Sequence, residues 1–266
     1  MIRRALTIAG SDSGGGAGIQ ADLKTFMAYG VFGMSAITAI TAQNTIGVQK
    51  IAELPLDIIE AQITSVITDI GVDAVKTGML ANPDIVELVA QSIRKYDLKN
   101  IVVDPVMVAK SGDSLLSDKA IETIKTRLLP LADVITPNLP EAEVLLRRKI
   151  DTLEDMEKAA RDLHSSSSQT VVIKGGHLAQ GNEMIDIVYD GRDTTKLRGV
   201  FIKTKNTHGT GCTFASAIAA GLAKGYEPKV AIRTAKLYIS EAIRTALPLG
   251  KGHGPTNHYA GLNSKW

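Results

Sequence analysis

The chain has one cysteine in 266 residues, which excludes an internal disulfide framework and any metal site built from several thiolates. It also lacks an excess of charge: Lys and Arg number 30 and Asp and Glu 28, a formal net charge of +2. No block of like charges occurs, and the aromatics, only 4% of the residues, are not interleaved with basic ones. Nucleic acid and membrane surfaces are therefore not expected as partners. No apolar run approaches the roughly 18 residues of a membrane span. The N-terminal MIRRALTIAGSDSG has two arginines but only a short apolar stretch, which makes a poor signal peptide. These absences predict a soluble, cytoplasmic globular protein.

Several catalytic signatures are missing too. There is no G-x-x-x-x-G-K-[ST], because Lys110-Ser111 follows an alanine and Gly250-Lys251 is followed by glycine. There is no G-x-S-x-G, because Asp12 takes the central place of GSDSG. His164, His177, His208, His253 and His258 never show H-E-x-x-H spacing, so a zinc site is not expected and the histidines read as surface or loop residues.

What is present is a hydrophobic content of 44%, arranged as short β-branched runs alternating with helical patterns. ALTIAG (5–10), MSAITAI (34–40), VDAVKTG (72–78), NIVVDPV (100–106), ADVITPN (132–138) and TVVIKGG (170–176) read as strands. Most are apolar throughout, as strands covered on both faces are. In GIQADLKTFMAYG, Ile19, Leu23, Phe26 and Met27 predict a buried helical stripe, and Gly30 a C-terminal cap. In DTLEDMEKAARDLH, Asp151 and Glu154 have capping-box spacing, and Leu153, Met156, Ala160 and Leu163 make a stripe. MIDIVYD and GVFIKTK, flanking a turn-rich segment, predict a β-hairpin at 184–204. HSSSSQ (164–169) reads as a surface loop. The β-α-β-α order predicts an α/β fold with a mostly parallel sheet. No composition shift or repeat marks a boundary, so residues 1–266 read as a single domain.

Five segments, most of them at strand ends, carry candidate chemistry. SDSGGGAGIQAD (11–22) opens the first helix with Gly14, Gly16 and Gly18 in G-x-G-x-G spacing; it fits a tight turn or a ligand cradle at a helix N-terminus. In DPVMVAKSGDSLL and TPNLPEAE, Asp104, Asn138, Glu141 and Glu143 could hold a hydrated Mg²⁺, though Pro140 and Glu141 suit plain helix capping equally well. In VVIKGGH, Lys174 stands at the end of an apolar strand, where it meets phosphate or merely reaches water. The last is GTGC at 209–212, at the start of an Ala-rich helix. A lone cysteine there is either an inert small hydrophobe or a functional thiol. Successive amides of Thr210, Gly211 and Cys212 could form an anion nest. The positive helix end would lower the thiol pKa and leave Cys212 partly thiolate at neutral pH, a base beside an anion hole.

Together, AGSDSGGGAGIQADLKT, TAITAQNT, KTGML, DPVMVAKSG, TPNLPEAE, VVIKGGH and KTKNTHGTGCTFASAIAAGLAKG resemble the bacterial hydroxymethylpyrimidine/phosphomethylpyrimidine kinases of thiamine biosynthesis, members of the ribokinase-like superfamily. The resemblance implies a three-layer α/β/α sandwich and an ATP- and Mg²⁺-dependent kinase. Its substrates would be 4-amino-5-hydroxymethyl-2-methylpyrimidine and then the monophosphate. It implies that Cys212 is the base, where most of the superfamily has Asp, and that Gly209, Thr210 and Gly211 form the anion hole. Gln43 would read the pyrimidine's amino group and ring nitrogen; Asp22, Met79 and Val106 would complete the substrate pocket. Glu141 and Asn138 would form the Mg²⁺ element, and Lys174 would lie near the ATP phosphates. A homodimer is implied as well. The alternatives are a pyridoxal/pyridoxine kinase of the same superfamily and a non-catalytic pyrimidine-binding protein. A nucleotide-dependent dehydrogenase is disfavoured by the glycine spacing.

Overall fold

The computed structural model describes residues 2–107, 116–164, 169–176 and 183–262. Most of DPVMVAKSGDSLL and of HSSSSQ, together with His177, lies outside these residues.

A nine-stranded sheet runs in the order β3-β2-β1-β4-β5-β6-β7-β8-β9. Its strands are β1 (Arg4–Asp12), β2 (Phe32–Gln43), β3 (Val48–Glu53), β4 (Ala74–Thr77), β5 (Ile101–Val103), β6 (Val134–Ile135), β7 (Thr170–Ile173), β8 (Glu183–Tyr189) and β9 (Thr194–Val200). All pairings from β2 to β7 are parallel, while β3, β8 and β9 are added antiparallel at the two edges. The six sequence-predicted strands are all in the parallel part.

Period-2 geometry sorts each central strand onto two cores. Leu6, Ile8, Val75, Ile101, Val103, Ile135, Val171 and Ile173 face one hydrophobic cluster. Ala5, Ala74, Val102, Val134 and Val172 face the other. The first cluster is closed by α2 (Leu56–Asp69), α3 (Pro83–Lys95), α4 (Asp118–Thr123), α5 (Leu139–Leu146) and α6 (Leu153–Leu163). The second is closed by α1 (Gly18–Ala28), α7 (Thr210–Ala223) and α8 (Pro228–Arg244). The result is an α/β/α sandwich. Strands buried on both sides have no polar face, which is why their sequences read as continuous apolar runs. No helix among the described residues is long and apolar enough to cross a membrane.

Some local expectations need correction. Met27 is 69% exposed; α1 buries Ala21, Asp22 and Thr25 instead, because it faces a polar network rather than only the core. The capping box of α6 is Thr152 with Asp155, one residue later than the Asp151–Glu154 pair, since Thr152 is the residue in extended conformation. The hairpin exists, but its second strand is Thr194–Val200, ahead of GVFIKTK; the tight turn at Asp190–Asp193 sets that register. The histidines are not uniformly peripheral. His208 and His258 are buried, and His258 Nε2 lies 3.0 Å from Thr213 Oγ1 of α7. Burial pushes the His258 imidazole down to about 4, and it stays neutral.

The chain leaves β1 for β2 and β3, then returns to β4 on the other side of β1. Ligands in open parallel sheets bind at the carboxyl ends of the strands beside such a switch point.

Candidate active site

A cleft of about 520 Å³ lies there. Its floor is a row of strand ends: Gly10, Ser11 and Asp12 from β1, Thr41 and Gln43 from β2, Lys76 and Met79 from β4 and its exit. Asp104 and Val106 follow β5, Asn138 and Glu141 follow β6, and Lys174 follows β7. Residues 207–212, at the start of α7, close the cleft from above.

Gly209 is the N-cap of α7, with φ 78° and no side-chain cap. A Cβ there would lie 1.7 Å from the Gly16 carbonyl oxygen, so only glycine allows the two loops to meet. The Thr210 amide donates to Thr207 O at 3.3 Å. The anion nest therefore comprises Gly211 and Cys212 rather than three successive amides, and neither has an acceptor among the described residues. A Cβ built on Gly211 would be 3.4 Å from Lys174 Nζ and 3.5 Å from Asp104 Oδ2. Thus the free end of α7 points at a charged cluster.

In that cluster Lys174 Nζ is 3.0 Å from Asp104 Oδ1 and 3.9 Å from Glu141 Oε2. Thr136 Oγ1 also donates to Asp104 Oδ1, at 3.1 Å. Asn138 and Glu141 form a reciprocal capping box at the start of α5. Asn138 lines the cleft, and its Oδ1 accepts the Glu141 amide at 2.9 Å. Burial pushes the Glu141 carboxyl up to about 7, with Lys174 opposing and Asp104 adding to the rise. Glu143 is absent from the cleft; its carboxylate holds the Ile150 amide and Lys149. No group of three or more His, Cys, Asp or Glu gathers as a metal site among the described residues. Two carboxylates, Asp104 and Glu141, do suit Mg²⁺, which keeps most of its shell as water and phosphate oxygen.

Cys212 lines the cleft at the start of α7, with the Gly18 amide turned toward its sulfur. Burial pushes its thiol up to about 11, and Lys76 only partly offsets this while Asp22 and Asp104 add to it. This direction is opposite to the one expected from the helix end, and removal from water is its largest cause.

Asp22 does not line the cleft. It lies beneath it, fully buried, with Lys76 Nζ at 3.0 and 2.9 Å from its two oxygens. Ser216 Oγ and Thr7 Oγ1 donate to the same carboxylate, each at 2.6 Å. Gln43, Met79 and Val106 do line the cleft.

The motifs gave no role to three further features of this site. Asp12 accepts the amides of Gly14, Gly16 and Ala17, and lies 2.8 Å from His208 Nε2. Burial alone would raise its pKa, yet His208 and these amides hold it below the usual carboxylate range. Asp186 and Lys236 form a buried pair at 2.5 Å beside an apolar wall of Val200, Phe201, Ile202, Ile239 and Ile243. Lys76 carried a signal in the sequence, a charge inside an otherwise apolar strand. Asp186, in the hairpin strand MIDIVYD, and His208, next to GTGC, carried weaker ones.

The family model for phosphomethylpyrimidine kinase matches residues 12–257. The hydroxymethylpyrimidine/phosphomethylpyrimidine kinase of Bacillus subtilis (strain 168) is 51% identical over 259 residues, covering 97% of this chain and 96% of that protein. A solved ADP complex of Bacillus subtilis pyridoxal kinase superposes with a TM-score of 0.90 at 44% identity, covering 98% of each chain. The phosphomethylpyrimidine kinase of Clostridium difficile 630 gives a TM-score of 0.80 at 45% identity, covering 91% of this chain and 100% of that one.

Proposed function

Because this chain belongs to the phosphomethylpyrimidine kinase family, we propose that its cleft transfers the γ-phosphoryl group of ATP to 4-amino-5-hydroxymethyl-2-methylpyrimidine and then to the monophosphate, in thiamine biosynthesis. The observation that carries this reading is the meeting, in one cleft, of the two unpartnered α7 amides, the Cys212 thiol and the Asp104–Lys174–Glu141 cluster. Phosphoryl transfer needs positioning and charge neutralisation more than covalent chemistry, and this cleft supplies both.

In this reading Gln43 holds the aminopyrimidine edge between the apolar walls of Met79 and Val106. The Gly211 and Cys212 amides, with Lys174, face the charge on the transferred group. Cys212 takes the proton of the substrate hydroxyl. Glu141 and Asp104 would hold Mg²⁺, which supplies charge neutralisation of the nucleotide phosphates. The apolar wall beside Asp186 and Lys236 takes the adenine ring; the ADP complex of the Bacillus subtilis pyridoxal kinase supports nucleotide use. The lone thiol suits the reducing cytoplasm. One domain, 1–266, carries the activity.

The likeness to a pyridoxal kinase favours one second activity, on pyridoxal. A screen with ATP on the alcohol, its monophosphate and pyridoxal, reading ADP release, separates the readings. We expect turnover on both pyrimidines and a lower kcat/KM on pyridoxal. Turnover on pyridoxal alone would reverse the assignment, and binding without ADP release would leave a non-catalytic pyrimidine-binding protein.

We also propose a homodimer through the β2–β3 edge. There Ile40, Ile46, Ile51, Leu56 and Ile58 are all exposed, an unusual amount of apolar surface to leave in water. Light scattering should return twice the chain mass, and Ile51→Glu should return the single mass. A monomeric wild type would remove the proposal.

A further inference from the structure

Gln43 faces two neighbours across the cleft floor. Its Oε1 is 3.1 Å from Thr41 Oγ1, and its Nε2 is 3.5 Å from His208 Nε2. The protons of both neighbours are already assigned by their other contacts. Thr41 Oγ1 is 2.7 Å from the backbone oxygen of Ser11, which can only accept. The single hydroxyl proton goes there, and Thr41 turns lone pairs toward Gln43. His208 Nε2 is 2.8 Å from Asp12 Oδ2. That carboxylate accepts the Gly14 amide on one oxygen and those of Gly16 and Ala17 on the other. An acceptor-only carboxylate requires the proton on His208 Nε2, whether the ring is neutral or charged. With Oε1 at Thr41 and Nε2 at His208, Gln43 sets lone pair against lone pair and N–H against N–H. A half-turn of the amide about its last bond resolves both clashes at once.

We propose that His208, held by Asp12, is a positioning residue that acts with Thr41 to fix the Gln43 amide with its nitrogen toward Thr41 and its oxygen toward His208, and so sets which ring edge the cleft accepts. This rests on the assignment of the cleft to an aminopyrimidine. One N–H of the turned amide then donates to Thr41 Oγ1, and Oε1 sits beside the His208 N–H as a second, longer acceptor to the one it already has in Asp12. The free end of the amide presents a donor on the Thr41 side and an acceptor on the His208 side. The complementary ligand edge is a ring nitrogen facing Thr41 and an exocyclic amino group facing His208. A 4-oxo analogue presents the reverse order, a ring N–H beside a carbonyl, and would need the amide turned over. The backbone supports His208 on both sides: its N–H donates to Gly254 O at 3.0 Å and its carbonyl accepts from Thr256 at 3.2 Å.

The test is the ratio of kcat/KM for the 4-amino substrate to that for its 4-oxo analogue, with KM for ATP as internal reference. Wild type should favour the amino compound by on the order of a hundredfold, from two mismatched hydrogen bonds. His208→Phe should keep KM for ATP while the ratio falls by roughly tenfold, as one constraint is lost. His208→Gln, which keeps an N–H near the same place, should retain the wild-type ratio. Should His208→Phe not fold, Thr41→Val is expected to lower the ratio in the same way. General loosening of the pocket would raise KM for both compounds alike and leave the ratio unchanged. An active wild type whose ratio survives in His208→Phe or Thr41→Val overturns this inference and leaves the kinase assignment standing. A wild type that turns over neither compound overturns both.

Discussion

Cys212→Ala is expected to lower kcat by roughly 10²–10⁴, the range for loss of one general base, with little change in KM for ATP. The pH dependence gives a sharper test than the size of the loss. Burial has moved the Cys212 thiol up to about 11, so at neutral pH nearly all of it is protonated. A base acts in its deprotonated form, and well below its pKa that fraction grows about tenfold per pH unit. Wild-type kcat should therefore climb with pH between about 7 and 9, provided that proton transfer limits turnover. The alanine variant should be slower and lack that climb. Steady-state ADP release across this range measures both. An alanine variant near the wild-type rate, or the same slope in both proteins, would reduce the thiol to packing and leave the work to the Gly211 and Cys212 amides.

Lys76→Met should give the largest loss of stability of any single change near the site. Lys76 and Asp22 are both fully buried, and the lysine contacts both carboxylate oxygens. Burial alone would favour the neutral amine, but Asp22, Cys212 and Asp104 raise its pKa and keep it charged. Methionine fills a similar volume yet strands the Asp22 charge, leaving the hydroxyls of Thr7 and Ser216 as its side-chain partners among the described residues. Breaking a buried pair from one side costs about 3–5 kcal/mol. In a chain of this length that lowers Tm by roughly 6–20 °C. The double variant Lys76→Met/Asp22→Leu should recover most of the loss, because replacing both partners by apolar groups leaves no uncompensated charge. Calorimetry that found the single variant as stable as wild type would show the pair contributes nothing. A single variant that folds should also turn over slowly, since the cation that partly lowers the thiol pKa is gone.

The parallel strands were legible because burial on both faces leaves no polar alternation, and runs such as TVVIKGG have no other reading. β3 was not: VQKIAE is mixed in composition and largely exposed, being an edge strand paired on one side only. The short register choices, such as the α6 cap at Thr152 rather than Asp151, depend on which backbone first leaves the extended conformation, and neighbouring polar residues offer nearly equal alternatives.

GTGC, Glu141 and Lys174 were picked out from the residues themselves and Gln43, Met79 and Val106 from the family resemblance, and the fold gathers all of them from five strand ends and one helix start into one cleft. Asp22, which the resemblance placed in the substrate pocket, lies a layer below, because α1 turns that side chain toward Lys76 of β4. Asn138 both lines the cleft and caps α5. Asp12 and His208, which lie 196 positions apart, could be joined only by the fold.

The amino-acid order by itself determined the alternation of buried strands and helices, and with it the sandwich and the place of the cleft, because periodicity and apolar content act locally. Tertiary structure decided the charge states and partners. How far a thiol, a carboxylate or an imidazole is removed from water, and which distant groups face it, depends on chain segments that are far apart in sequence. That is why burial moves the Cys212 thiol up, opposite to the direction its helix position suggests, and why the pairing of Asp12 with His208 beside Gln43 is seen only in the fold.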